Sequence, residues 1–418
     1  MSRRRMGTAR RAGVALVAAL ALGAAGGCGG TSTEGTTPGT APAVLGPVKP
    51  ATGTPIKVGL VSDGKAGAAD ASGELAGAKA AVDYANERLG GLNGHTIELV
   101  TCETGGTPTG GTNCGTQMVR DQVAAVLVSR SGQSGTIFAA INGSAVPYVG
   151  YVAIDPELFV KPGAFLLTNP VASVGAGIVL AKDKGNRHAA IVLPDVPAAS
   201  GIGAITDPVY GKAQIELSTI PVALQTPDVT PQIQQAVGSG VDQFQIAGTD
   251  ELITGSVKAL KQMAFPGTII VASETVGPML ADQVPDGTNG VYNLTNTTND
   301  PADPDVQRFG AVIDTYASGT SKTDNYVVSA YALTLGFVRA LTGATSAVDA
   351  GSVMTAMAAM PQPVDLPMGG GITFQCGSAP VSFAANICTG QTLQSTLDDQ
   401  GRGTDYQVVD VSAYTKLT

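Results

Sequence analysis

A run of polar chemistry in this chain sits between two apolar segments. Ser129-Arg130-Ser131-Gly132-Gln133-Ser134 follows the continuous β-branched run Val123–Val128, and precedes a short helix expected over 136–141 and a strand over 146–151. An unbroken apolar run of this kind suits a strand covered on both faces of a parallel sheet. Gly132 permits the tight turn that must follow it. Loops at the carboxyl ends of such strands are where open α/β sheets bind ligands, and helix N-termini attract carboxylates. The residues therefore read as a carboxylate subsite. Ser131, Gly132, Gln133 and Ser134, helped by Tyr151 and Ala153 at the next strand end, would hold the acidic end of a small solute. An ordinary βα connection satisfies the same pattern, since every α/β protein has several.

Other chemistries are poorly served. The chain has only two histidines, His95 and His188, and no GxSxG, which leaves little for a Ser-His-Asp arrangement. A hydrolase working with carboxylates alone stays open. Asp63 and Lys65, on the loop after the first strand, are candidates for a cleft rim or a solvated pair. Asp300, Asp303 and Asp305 gather three carboxylates, but the EF-hand spacing and terminal glutamate are missing. An aspartate-rich helix start explains them better. The glycine-rich stretch 105–115 lacks a following GK[ST], so it is no phosphate loop.

A length of 418 residues suggests two domains, and 44% hydrophobic against 14% charged residues excludes a disordered chain. The net charge of −9 disfavours nucleic acid or an anionic membrane surface as partner of the folded part. The basic residues cluster at the start: Arg3, Arg4, Arg5, Arg10 and Arg11 precede the apolar segment 13–25, which is too short to span a bilayer comfortably. Ala25-Gly26-Gly27-Cys28 then resembles the end of a bacterial lipoprotein signal, which implies lipidation of Cys28 and a membrane anchor. A plain secretory signal and twin-arginine export are the alternatives. Residues 29–55, rich in Gly, Thr, Pro and Ala, read as a flexible tether. Setting Cys28 aside leaves four cysteines, an even number suited to an oxidising compartment. Short loops favour Cys102–Cys114 and Cys376–Cys388 among the three pairings. A zinc site would need CxxC spacing or histidine partners.

A helix is expected over 73–89 with Leu75, Ala78, Val82 and Ala85 on its apolar face, between strands at 56–61 and 97–101. Residues 102–114 read as a loop, and 115–121 as the start of a helix. The string GELAGAKAAVDYANERLGGLNGHTIEL from Gly73, together with VPYVGYVAIDPEL from Val146, is similar to the type I periplasmic binding proteins. The nearest branch is the leucine/isoleucine/valine-binding receptors of ABC importers, and the likeness covers about Ile56 to Met360.

The resemblance implies an α/β fold of two Rossmann-like lobes joined by a three-crossing hinge. On it, residues 1–28 are the signal and 29–55 the tether. Residues 56–169 and 296–367 form the N-terminal lobe, and 170–295 and 368–418 the C-terminal lobe. It further implies an extracytoplasmic, non-enzymatic receptor that binds an amino acid or similar solute, needs no cofactor or metal, and docks on an ABC permease. Glu274 would take the ligand ammonium, and Thr249 and Ser200 would lie on second-lobe strand ends. Ser200, with Ala198 and Ala199, stands where relatives place a tyrosine over the ligand, a wall that Tyr151 could supply instead. Asp250 reads better as a helix N-cap than as a contact. A sensory receptor of the same fold, without transport, is the rival reading.

Overall fold

The structure is a computed structural model, describing residues 41–66, 69–153, 155–195, 202–223, 226–273, 276–284 and 288–414. Strands β1 (Gly53–Ser62), β2 (His95–Glu103), β3 (Val126–Arg130), β4 (Tyr148–Val152) and β5 (Ala164–Leu166) form one sheet. They lie in the order β2-β1-β3-β4-β5, and every pairing is parallel. The second sheet takes β6 (His188–Pro194), β7 (Glu216–Val222), β8 (Gln243–Ala247), β9 (Thr268–Ala272), β10 (Tyr292–Thr295), β11 (Gln391–Leu397) and β12 (Gly403–Asp410). Its order is β12-β11-β10-β9-β8-β6-β7, parallel from β7 to β10 and antiparallel over the last two pairings.

Each sheet reverses its strand order beside its first strand, at β1/β3 and at β6/β8. A crevice outside the carboxyl ends of the strands follows from that reversal. The chain passes between the sheets three times, at 167–171, 296–303 and 389–390.

Several expectations are corrected. The return to the second lobe lies near 389, not 368. The loop closed by Cys376 and Cys388 stays on the first lobe, where Leu166 and Ile387 form a bridge and Asn386 donates to the carbonyls of Leu158 and Lys161. Val381, Ala384 and Ile387 are buried there against Tyr148 and Leu166. Residues 290–295 do not cross back; Tyr292–Thr295 pairs with β9 and β11 inside the second sheet. Residues 41–55, expected in the tether, lie on the first lobe. Leu45 is buried against Phe309 and Tyr331, and the amides of Lys49 and Ala51 donate to Glu87 and Asn86. The segment 102–114 is largely helix, because Thr107 caps Pro108–Arg120 by accepting from the Gly110 amide and Pro108 starts the first turn.

The cysteines pair as the short loops favour, Cys102 with Cys114 and Cys376 with Cys388. Each bridge closes a sequence separation of 12, worth about 3 kcal/mol by chain entropy. Replacing Cys376 and Cys388 together by alanine is expected to lower the unfolding free energy by about that much. Urea titration checks it, and reductant should then shift the parent but leave a variant lacking both pairs unmoved.

Candidate functional site

A cavity of about 610 Å³ lies between the strand ends of the two sheets. Arg130 and Val152, at the ends of β3 and β4, line it from the first lobe, together with Asp324 and Tyr326 at the start of the helix Asn325–Ala340. Ser173, Asp250, Ser273 and Thr295 line it from the second lobe, and Asn169 and Asn296 from two of the crossings. Both lobes and the hinge therefore share one chamber. Its polar lining is chiefly hydroxyl and carboxamide groups, set among apolar residues such as Val152, Pro170, Ala272 and Leu294. Among the described lining residues the charged side chains are Arg130, Asp250 and Asp324, one cation against two anions.

Each polar group has a local reason for its place. Asp324 accepts from the Tyr326 amide at 2.8 Å, capping its helix. Ser273 donates to Asp250 at 3.5 Å. Asn169 is only 3% exposed. Its carbonyl oxygen accepts from the Val171 amide at 3.1 Å, while Nδ2 has no hydrogen-bond partner among the described residues. A buried donor left in this state costs about 1–3 kcal/mol, which a ligand acceptor would relieve.

The loop 131–134 carries an internal carboxylate. Asp63, after β1, accepts from Ser131 Oγ at 2.6 Å, from the Gly132 amide at 2.9 Å and from Thr104 Oγ1 at 2.6 Å. Gln133 reaches back to the Gly106 carbonyl at 3.1 Å, its amide donates to Ser131 Oγ, and Ser134 Oγ donates to the Ser131 carbonyl. Asp63 thus binds the loop rather than standing on a cleft rim. Lys65 pairs instead with Asp70 at 3.3 Å on the exposed surface.

Beneath this loop lies a second carboxylate that sequence reasoning missed. Glu74 is fully buried in the first turn of the helix Gly73–Tyr84. It accepts from Ser129 Oγ and from the Arg130 amide, the latter at 3.0 Å, and so fixes the strand end that carries Arg130 into the chamber. Burial pushes its pKa up to about 7 against the pull of those donors. The signal was present: Glu74, Ala78, Ala81 and Ala85 fall at helical spacing on one stripe, whereas Leu75, expected inside, is 42% exposed.

The remaining expected residues divide. Tyr151 and Ala153 are buried in first-lobe clusters, so the Tyr151 ring lies away from the chamber and does not supply the missing wall. Tyr326 lines the chamber instead. Thr249 caps the helix Asp250–Gln262 by accepting from the Leu252 amide at 3.3 Å, and it faces a separate second-lobe cavity of about 920 Å³. Asp250, expected as that cap, faces the interlobe chamber. The two neighbours exchange roles because the helix starts one residue earlier than a cap at Asp250 would have it. Ser200, Glu274 and Cys28 lie outside the described residues. Asp303, rather than holding calcium, caps the helix Pro304–Tyr316, and Asp305 pairs with Arg339 at 2.9 Å.

With this geometry in hand, likeness to known proteins is informative. A family model described as periplasmic binding protein matches residues 55–384. The chain belongs to that family. Solved structures agree in fold at low identity. A fatty acid ABC transporter substrate-binding protein from Thermomonospora curvata is 15% identical with a TM-score of 0.66, covering 88% of this chain and 96% of its own. The branched-chain amino acid transporter substrate-binding protein LivJ from Streptococcus pneumoniae, solved with isoleucine, is 17% identical with a TM-score of 0.62, covering 85% and 99%. A solute-binding protein from R. palustris, solved with 4-hydroxybenzoate, is 16% identical with a TM-score of 0.66, covering 85% and 97%. No curated protein matches in sequence. The periplasmic binding protein fold of type I, with its two lobes, is thus the architecture of this chain.

Proposed function

We propose that this chain is the extracytoplasmic solute receptor of an ABC importer. It holds a small polar solute between its lobes, without chemical turnover, and is tethered through a lipid on Cys28. The observation that carries the reading is the shared chamber: two doubly wound sheets face each other with their strand ends, and three chain crossings form the hinge. A ligand touching both walls favours the closed arrangement by its differential affinity for it, and the permease reads the closed form. Arg130, Asn169, Asp250 and Asp324 are the proposed contacts, with Glu274 as a further one. The solutes named for the neighbours run from a fatty acid to isoleucine and 4-hydroxybenzoate. The fold therefore does not choose the ligand.

The test is a broad solute library screened by thermal shift, with hits followed by calorimetry and small-angle scattering. A hit should reduce the radius of gyration, and Arg130→Ala should weaken its binding at least tenfold. A library in which no solute closes the lobes would remove the receptor reading.

A further inference from the structure

We infer that the first lobe carries a second ligand site, remote from the chamber, that binds an anion of the phosphate class, free in solution or on a lipid headgroup.

The site is a cavity of about 680 Å³. Lys49 lines it from the segment ahead of β1, Arg308 from the helix Pro304–Tyr316 and Arg339 from the last turn of the helix Asn325–Ala340. That last helix begins at the chamber, where Tyr326 is part of the lining. Arg339 is about 20 Å further along it, at 1.5 Å per residue. The two cavities share no lining residue.

Every charged side chain among the described lining residues is a cation. A single carboxylate behind them serves two of the three. Asp305 accepts from Arg339 Nη2 at 2.9 Å, from Arg339 Nη1 at 3.0 Å and from Arg308 Nη1. The Nε and Nη2 groups of Arg308 make no hydrogen bond among the described residues. Lys49 is exposed and has no ion-pair partner among them. Glu87, whose carbonyl accepts from the Lys49 amide, gives its carboxylate to Arg88 at 3.0 Å. Three cations around one carboxylate leave an excess of positive charge, with open guanidinium donors facing the space. Such donors recognise carboxylate and phosphate oxygens. A phosphate monoester brings close to two negative charges and three strong acceptor oxygens at neutral pH, which fits that excess.

A neutral group adds an independent sign. Tyr84 lines the cavity and is only 4% exposed, yet its hydroxyl makes no hydrogen bond among the described residues. An acceptor in the cavity would satisfy it. The surroundings admit a lipid as well as a soluble ion. Val48 and Leu89 are exposed next to the site, and the chain reaches this face through residues 41–49, downstream of the Cys28 proposed to carry a lipid.

The experiment titrates the chain with inorganic phosphate by calorimetry, against sodium chloride at matched ionic strength. Co-sedimentation with phosphatidylcholine vesicles, with and without phosphatidic acid, runs beside it. The parent should bind at least one of the two phosphate sources saturably. Lys49→Gln and Arg308→Gln, which leave the Asp305–Arg339 pair in place, should each weaken that binding about tenfold. Tyr84→Phe should weaken it about fivefold without lowering stability, since it removes a hydroxyl with no partner. Binding of free phosphate without retention on vesicles assigns the site to a soluble anion. Retention on phosphatidic acid vesicles without binding of free phosphate assigns it to a headgroup. Binding that all three variants leave unchanged, that chloride or phosphatidylcholine alone reproduces, or that neither source shows, overturns the inference. Solute-driven closure of the chamber is read separately, so the receptor reading stands or falls on its own result.

Discussion

Gly77→Ala is expected to destabilise the protein by about 1–3 kcal/mol, although alanine is the better helix former. Gly77 lies in the helix Gly73–Tyr84 where it crosses the helix Asn325–Ala340. A Cβ there would sit 2.2 Å from the Val327 carbonyl oxygen and 3.0 Å from its Cα. Both atoms are backbone, so no side chain can swing away, and the helices must part. Gly73, one turn earlier, would meet Val327 Cγ2 at 2.9 Å, so the two glycines together set the distance of approach. Val327 follows directly on Asp324 and Tyr326, which line the chamber, so the displacement reaches the site as well as the core. Gly310, in the helix Pro304–Tyr316, is the control, since nothing lies within 4 Å of a Cβ there. Gly310→Ala should stabilise by up to about 1 kcal/mol, the propensity gain alone. Urea unfolding of the two variants should therefore shift in opposite directions. A Gly77→Ala protein as stable as Gly310→Ala would refute the packing argument.

The same crossing helices mark what could be read from sequence. Strands rich in Val and Ile, such as β3 and β9, were legible because burial on both faces demands an unbroken apolar run. β11 was not. Its sequence QTLQSTL buries Thr392 and Ser395, and Thr392 is satisfied by donating to the Thr295 carbonyl at 3.0 Å. Hydrogen bonding to a neighbouring strand lets polar residues occupy buried positions that hydropathy assigns to solvent. No residue of the loop 131–134 is among those lining the chamber, although the loop does follow the end of β3. Its occupant was not legible, because Asp63 is 68 residues upstream of Ser131 and only the sheet order brings β1 beside β3. Thr249 and Asp250 failed for a smaller reason, a one-residue difference in where the helix begins. Asn169 carries no sequence signal beyond its place in an expected crossing. Its importance is the open donor, which is a property of packing alone.

Relative to its effect below about pH 4.5, Glu74→Gln is expected to stabilise the protein by roughly 3 kcal/mol more above pH 7, on top of a pH-independent cost for the amide donor that it buries. The carboxyl ordinarily titrates near 4.5, and burial in the fold raises it to about 7. Below 4.5 the group is protonated in both the folded and unfolded states and contributes no difference. Between 4.5 and 7 the folded state keeps a proton that the unfolded state has released, so folding loses stability as pH rises. Above 7 the folded protein carries a buried anion, and the loss is complete. Glutamine removes the titration while keeping an oxygen to accept from Ser129 and the Arg130 amide. Its nitrogen replaces Oε2, which has no hydrogen-bond partner among the described residues. The difference in unfolding free energy between variant and parent should thus open across pH 4.5 to 7 and level off above. A flat difference over that range would mean that Ser129 and the Arg130 amide hold the anion well enough to cancel its burial. Glu74→Leu separates charge from anchoring. It removes the anion too, but leaves the Arg130 amide without its acceptor, so the strand end that delivers Arg130 loosens. Ligand binding should then fall in the leucine variant and survive in the glutamine one, even where both unfold at higher urea than the parent at pH 8.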